Sequence, residues 1–223
     1  MKHRLLVAAI AVLVAAGGTA VAGELSFGAK AGLIFADITE TPREWAQEKS
    51  SKTGFTGGVF ANYAFDEHFS IQPELLYTQR GVVDKLYEGI VSVDLAASFD
   101  YVELPVLLKY AFPLGDSFKP FIIAGPCVAF TLSSELELSA SVLSATVDFS
   151  SLTHVTDFLL VAGAGFDVPV GKGSLVFDAR FTRGFTNVIL SGDFEINGST
   201  RTIEEDDFKN YGFSFTLGYR LSM

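Results

Sequence analysis

A chain of 223 residues, 49% hydrophobic and carrying 21 phenylalanines and a formal charge of −10, has room for one large domain. Its acidity argues against a nucleic-acid partner, whose recognition needs a basic footprint. A single cysteine, Cys127, excludes an intrachain disulfide, and beyond the first 22 residues no run approaches the roughly 20 consecutive apolar residues of a membrane helix.

The chain opens with a basic group (Lys2, His3, Arg4), an apolar stretch from Leu5 to Ala16 and a small-x-small site at Ala20-Val21-Ala22. That pattern predicts a cleaved signal peptide over 1–22, export, and a mature domain over 23–223. Cys127 reads as a small strand residue rather than a reactive thiol.

From there the dominant period is two, the signature of strands with two unlike faces. Leu25, Phe27, Ala29, Ala31, Leu33 and Phe35 alternate with Ser26, Gly28, Lys30 and Gly32 in a first strand. The polar stretch 39–53 breaks the alternation as a long connector, with a helical turn expected around Pro42 to Lys49. A second strand, Gly54 to Phe65, follows, with Phe60 off its parity. After the short turn Asp66-Glu67-His68, the third strand sets Phe69, Ile71, Pro73, Leu75 and Tyr77 against Ser70, Gln72, Glu74, Thr78 and Arg80.

An irregular stretch around 83–97, in which the alternating piece from Val91 to Leu95 reads as strand that projects beyond the membrane, leads to a hairpin over 99–130. Its first strand carries Val102, Leu104, Val106, Leu108, Tyr110 and Phe112 on one face and Glu103, Pro105, Lys109 and Ala111 on the other. A Pro/Gly/Asp turn and the strand from Phe118 to Phe130 complete the hairpin. Ser133 to Thr156 is again long and Ser-rich. The sixth strand sets Phe158, Leu160, Ala162, Ala164, Phe166 and Val168 against Asp157, Gly163, Gly165 and Asp167, and the seventh sets Leu175, Phe177, Ala179 and Phe181 against Asp178, Arg180 and Thr182. Asn197-Gly198 marks the tip of a protruding hairpin, since a type I′ turn needs positive φ at both positions. The eighth strand, Tyr211 to Leu221, ends the pattern.

Eight strands joined by connectors that run long, short, long, short predict an all-β fold: an eight-stranded antiparallel transmembrane up-and-down β-barrel, with short periplasmic turns, longer external loops and an apolar face toward lipid. A soluble lipocalin-like ligand-binding barrel has the same strand number but an inward apolar face. It is disfavoured because one parity holds Lys30, Glu74, Arg80, Glu103, Lys109, Asp157, Asp167, Asp178 and Arg180 while the other is too aromatic for water.

The interior of an eight-stranded barrel is just wide enough to fill with side chains. These nine ionisable residues are therefore expected to form a lumen network, bases Lys30, Arg80, Lys109 and Arg180 against the five acids, a structural filling rather than a proton or ion path. No catalytic, cofactor or metal site is expected. Glu204 to Asp207 reads as a solvated acidic run rather than a Ca²⁺ site, and His154 near Ser150 and Ser151 is the one candidate nucleophile–base pair, the basis of an alternative reading as a lipid-modifying barrel enzyme.

Several segments carry a resemblance: Phe99 to Tyr110 with its Tyr101-Val102-Glu103-Leu104-Pro105 core, Lys119-Pro120-Phe121 with Gly125-Pro126, Gly163-Ala164-Gly165, and the terminal Gly218-Tyr219-Arg220-Leu221. Over about Glu24 to Met223 the chain resembles the PorT-like, or outer membrane protein beta-barrel domain, family, itself similar to the OmpA and OmpX barrels. The resemblance implies an integral outer-membrane protein of a Gram-negative-type bacterium, surrounded by outer-membrane lipid, with some relatives linked to protein secretion. The expected role is structural or interactive, a monomer whose external loops or periplasmic turns meet a protein partner. Such barrels usually end on an aromatic residue, whereas this chain ends Leu221-Ser222-Met223, with Tyr219 the last aromatic.

Overall fold

In the computed structural model the residues described are 23–39, 49–88, 91–112, 114, 117–140, 143–148, 156–187, 192–196, 199–203 and 209–222. They form eleven strands: β1 (Glu24–Thr39), β2 (Lys49–Ala64), β3 (Phe69–Glu88), β4 (Val91–Ala111), β5 (Lys119–Ala140), β6 (Leu143–Asp148), β7 (Thr156–Val170), β8 (Gly173–Asn187), β9 (Gly192–Ile196), β10 (Ser199–Ile203) and β11 (Lys209–Ser222). Eight of them pair antiparallel in the order β4-β3-β2-β1-β11-β8-β7-β5, and β4 pairs back onto β5. The ladder is thereby closed, an all-β, eight-stranded barrel in which no barrel strand is left as an edge. No helix among the described residues is long and apolar enough to cross a membrane.

The short connections gather at one end. Between β2 and β3 the turn is held by Asp66, whose Oδ1 accepts from the backbone N–H of Phe69 at 2.7 Å and of His68 at 2.8 Å, while Phe65 N donates to Phe69 O at 2.9 Å. These two N–H groups hold the exposed Asp66 carboxyl below its ordinary range. Between β7 and β8 the chain reverses over Gly171 and Lys172, with Gly171 at φ 63°, the positive value that a two-residue hairpin turn requires and glycine adopts at no steric cost. The Tyr219 hydroxyl, two strands away on β11, donates to Val170 O at 2.9 Å and ties this turn to the last strand.

The parity reading of the strands holds. Leu108 is 54% and Phe213 53% exposed, on the outer wall, whereas Glu74 is 1% and Lys109 2% exposed, inside. Rings cluster on the outside near the short-turn end, as in Phe69–Tyr110 (4.9 Å), Tyr110–Phe112 (4.8 Å) and Phe118–Phe166 (5.2 Å), and a second group, Phe35–Phe215 and Phe181–Phe213, lies toward the other end. Two aromatic girdles flanking an apolar band match the two interfaces of a bilayer.

Three features differ from the sequence reading. The stretch 83–97, read as irregular apart from the strand expected at Val91–Leu95, is strand throughout its described residues: β3 and β4 pair from Phe69↔Tyr110 out to Glu88↔Val91. Most of the Ser-rich stretch 133–156 is strand as well, since β5 runs to Ala140 and β6 folds back on it from Ala140↔Leu143 to Glu135↔Asp148. Neighbouring strands in register supply a ladder that weak local alternation does not announce. β2 likewise begins at Lys49, inside the expected connector and helical turn, whose residues 40–48 lie outside the described residues. β9 and β10 pair as the hairpin flanking 197–198, with Ile196 opposite Ser199; the tip itself is outside the described residues.

Candidate functional site: the charged lumen

All nine ionisable residues singled out from the sequence are buried and belong to barrel strands: Lys30 on β1, Glu74 and Arg80 on β3, Glu103 and Lys109 on β4, Asp157 and Asp167 on β7, Asp178 and Arg180 on β8. They separate into clusters along the barrel.

The central cluster is the most tightly knit. Arg180 spans two carboxylates, donating from Nη1 and Nη2 to Glu74 (2.7 and 2.9 Å) and from Nε and Nη2 to Asp178 (2.7 and 3.1 Å). Lys30 Nζ joins the same two acids at 2.8 and 3.4 Å. The planar guanidinium fork makes a double bidentate arrangement possible, a geometry that a lysine at position 180 lacks. Two bases and two acids cancel, and each charge keeps several charge-assisted hydrogen bonds, the condition on which buried ions are tolerated.

Room for the cluster comes from glycine. Lys30 stands in register with Gly58 on β2 and Gly218 on β11, while Arg180 and Asp178 stand opposite Gly163 and Gly165 on β7. A Cβ at Gly163 would come within 3.1 Å of Arg180 Cγ and closer still to the Ala179 carbonyl. The long side chains cross the lumen because their neighbours stop at Cα.

Toward the long-strand end, Arg80 Nε and Nη2 donate to one oxygen of Glu103 at 3.1 and 2.6 Å, the guanidinium lying 5.8 Å from the Tyr101 ring centre. Asp157, at the start of β7, is buried near that end. Toward the short-turn end, Lys109 Nζ sits 2.8 Å from Asp167 Oδ2 and 3.7 Å above the Phe121 ring.

A tenth charge was not placed in the network by sequence reasoning. Arg220 Nη2 lies 3.1 Å from the same Asp167 oxygen. Its parity on β11 was visible, but a charge near a chain end reads as solvated. With Arg220 the network comprises, among the described residues, five bases, Lys30, Arg80, Lys109, Arg180 and Arg220, against five acids, while the more exposed Glu24 and Lys119 stand at the short-turn end.

Neutral polar residues, which the sequence reading set on the same parity but not in the network, extend the central cluster toward the short-turn end. Gln72 Nε2 donates to Glu74 Oε1 at 2.6 Å; Asn62 Nδ2 donates to Gln72 Oε1 at 3.3 Å and to Ser70 Oγ at 2.9 Å; Ser26 Oγ donates to the Asn62 carbonyl at 3.3 Å. The lumen is not polar throughout. Phe60, Phe99, Tyr101, Leu107, Phe121, Ile123, Cys127, Leu159, Val161 and Val176 form one buried cluster, contributed largely by β4, β5 and β7. Phe60, off parity in the sequence, is one wall of it, with its ring 5.5 Å from Lys30 Nζ.

At the short-turn end a cavity of about 150 Å³ opens beneath Asp167, bordered by Lys109, Arg220, Asn62, Ser70 and Ala64, with Glu24 and Lys119 among the residues lining it. Among the described residues no group of three or more His, Cys, Asp or Glu side chains is placed to hold a metal ion. His154, Ser150 and Ser151, and the acidic run Glu204 to Asp207, lie outside the described residues.

The family described as outer membrane protein beta-barrel domain matches residues 16–190. Among solved structures, the chain is similar to OprG from Pseudomonas aeruginosa (13% identity, 91% of this chain and 97% of that one, TM-score 0.49). It is similar also to Neisserial surface protein A (13%, 88% and 97%, TM-score 0.42) and to Ail, the attachment invasion locus protein of Yersinia pestis (13%, 89% and 99%, TM-score 0.40). No curated protein sequence matches the chain.

Proposed function

The chain belongs to the outer membrane protein beta-barrel domain family, and from that premise we propose that it is an integral outer-membrane barrel with a structural and interaction role, its lumen a plug of paired charges and its extended strands the binding surface. The observation that carries this reading is the asymmetry of the strands. β3, β4 and β5 are 20, 21 and 22 residues long, while β1, β2, β7, β8 and β11 have 14 to 16. A strand needs about 9–11 residues to cross the hydrocarbon, so the surplus is sheet that stands clear of it. β6 extends this sheet by pairing with β5 and ends the strand order, giving an edge on which a partner's extended segment adds as a further strand.

In this proposal residues 1–22 are a leader removed on export, 23–223 form the barrel, and the protein acts as a monomer without catalysis. The ion-paired lumen supports closure: wherever the bases and acids pair across the interior, the cross-section of an eight-stranded barrel is spent on side chains. The Tyr101 to Pro105 segment that carries the PorT-like resemblance extends the proposal to a place beside protein secretion.

The test replaces 85–94 and 137–146 each by a short turn. Purified barrels of this kind are expected to keep the slower migration of boiled over unboiled protein on a gel, to conduct no ions in planar bilayers, and to lose capture of the partner bound by the intact chain. Steady single-channel conductance of the intact protein would contradict the plug. Retention of the partner by the trimmed barrel would contradict the binding surface, and an unchanged exported proteome in a deletion strain would remove the secretion role.

A further inference from the structure

A charge on the outer wall has lipid beside it rather than a lumen partner. Asp100, on the outward parity of β4, accepts a hydrogen bond from Ser133 Oγ at 3.1 Å. Arg183, on the outward parity of β8 between the buried Thr182 and Gly184, is exposed and has no hydrogen-bonding or ion-pairing partner among the described residues. Its depth follows from the register. Arg183 pairs with Leu160 on β7 and Tyr211 on β11, and each of the three lies about ten residues from the short-turn end, where Val170, Gly173 and Leu221 stand in register. The hydrocarbon takes about 9–11 residues of a tilted strand. Arg183 therefore stands at the far border of the apolar band, on the side away from the short turns and next to the ring pair Phe181–Phe213.

We propose that Arg183 is the binding contact for the phosphomonoester head of an outer-leaflet glycolipid whose acyl chains lie on the neighbouring apolar side chains. The inference rests on the outer-membrane reading above, which puts the end away from the short turns in the outer leaflet. A lone guanidinium on a lipid wall is costly unless a polar group meets it, and the cost falls toward the interface, where the headgroups lie. Further out along the wall the surroundings are still apolar: Phe185 follows Arg183 on the same face of β8, and Phe158 is exposed beyond Leu160 on β7. The polar partner at this depth is the head of the lipid itself. The planar fork of arginine takes two oxygens of one phosphate, which selects phosphate over a sugar hydroxyl. A phosphomonoester carries up to two negative charges and so outcompetes the singly charged diester of a phosphoglycerolipid. Leu160, Phe181 and Phe213, exposed beside and below Arg183, supply the apolar shelf for the chains attached to that head.

The experiment adds bisphosphorylated lipid A to the full mature chain, folded in detergent micelles, and follows binding by native mass spectrometry and by the arginine Nε–H chemical shifts. Dephosphorylated lipid A, phosphatidylglycerol and inorganic phosphate are the comparison probes. A saturable lipid A adduct is expected, with the Arg183 Nε–H resonance moving as it fills, weaker binding of phosphatidylglycerol and no displacement by inorganic phosphate. Arg183→Gln should weaken lipid A binding by about tenfold or more, the loss of one charged hydrogen-bonded contact. Arg183→Lys, which keeps the charge and loses the fork, should fall between the two, and Asp100→Asn should bind like the wild type. Gel migration of unboiled samples establishes that each variant is folded. A chain that stays in aqueous buffer without detergent would remove the outer-membrane reading and this inference with it. A folded barrel overturns this inference alone if Arg183→Gln holds lipid A as tightly as the wild type, or if dephosphorylated lipid A or phosphatidylglycerol binds equally well. Displacement of the lipid by inorganic phosphate would make Arg183 a free-anion site and overturn it likewise.

Discussion

Glu74 accepts from Arg180, Lys30 and Gln72 at once, and its burial leaves water no share in that work. Glu74→Gln keeps the size of the side chain and removes the charge, so that Lys30 and Arg180 face each other with only Asp178 between them. A cost of about 3–5 kcal/mol is expected, the range for breaking one partner out of a buried ion cluster. It is read from urea unfolding in liposomes, and a loss under about 1 kcal/mol would show that the cluster is already hydrated. Asp66 behaves differently because it lies at the surface. Its carboxyl is held low by the Phe69 and His68 N–H groups, so its contribution to the turn is fully present above the unfolded value of about 3.9 and is lost as pH falls through the lower folded value. The gap in urea midpoint between wild type and Asp66→Ala should therefore be constant from pH 7 to 5 and shrink below about pH 4; a gap that ignores pH would remove the ionic part of this account.

At the level of single strands, β7 shows how closely small and large residues are matched. Its inward glycines face Arg180 and Asp178, while its outward alanines, Ala162 and Ala164, face lipid. Gly163→Val should cost about 1–3 kcal/mol by overpacking against Arg180 and the Ala179 carbonyl. Ala164→Leu, one residue along and on the other wall, should stay within about 0.5 kcal/mol. The folded fraction at fixed urea, read on gels, separates the two, and equal effects would mean that the faces are not distinct. The same strand explains what could be read from residues alone. Asp157, Asp167, Gly163 and Gly165 share one parity, so the inward face of β7 was legible. β5 was not, because Phe121, Ile123 and Cys127 turn inward to an apolar lumen wall while Ile122 and Ala124 turn out to lipid, and a strand that is apolar on both faces has no period to find. Arg220 and the Asn62–Gln72–Glu74 run were missed for a related reason: parity says which wall a side chain belongs to, but only register across strands says whom it meets.

For the whole molecule the claim is one of orientation, ionised groups inside and grease outside, and the eighth barrel strand samples both walls in alternate residues. On β11, Phe213, Phe215 and Leu217 are on the outer wall, Leu217 at 57% exposure, and Ser214 and Thr216 are buried within. Leu217 lies beside Ala31, level with the central Lys30 cluster, so a charge there sits deep in the bilayer. The most direct measurement places a nitroxide label at each position from 213 to 217 in turn, in a Cys127→Ala background, and reads the accessibility of each to oxygen and to a water-soluble nickel chelate in liposomes. The account predicts high oxygen contact at 213, 215 and 217, low contact with both reagents at 214 and 216, and no nickel contact at 217. High nickel contact at 213, 215 and 217 would contradict it.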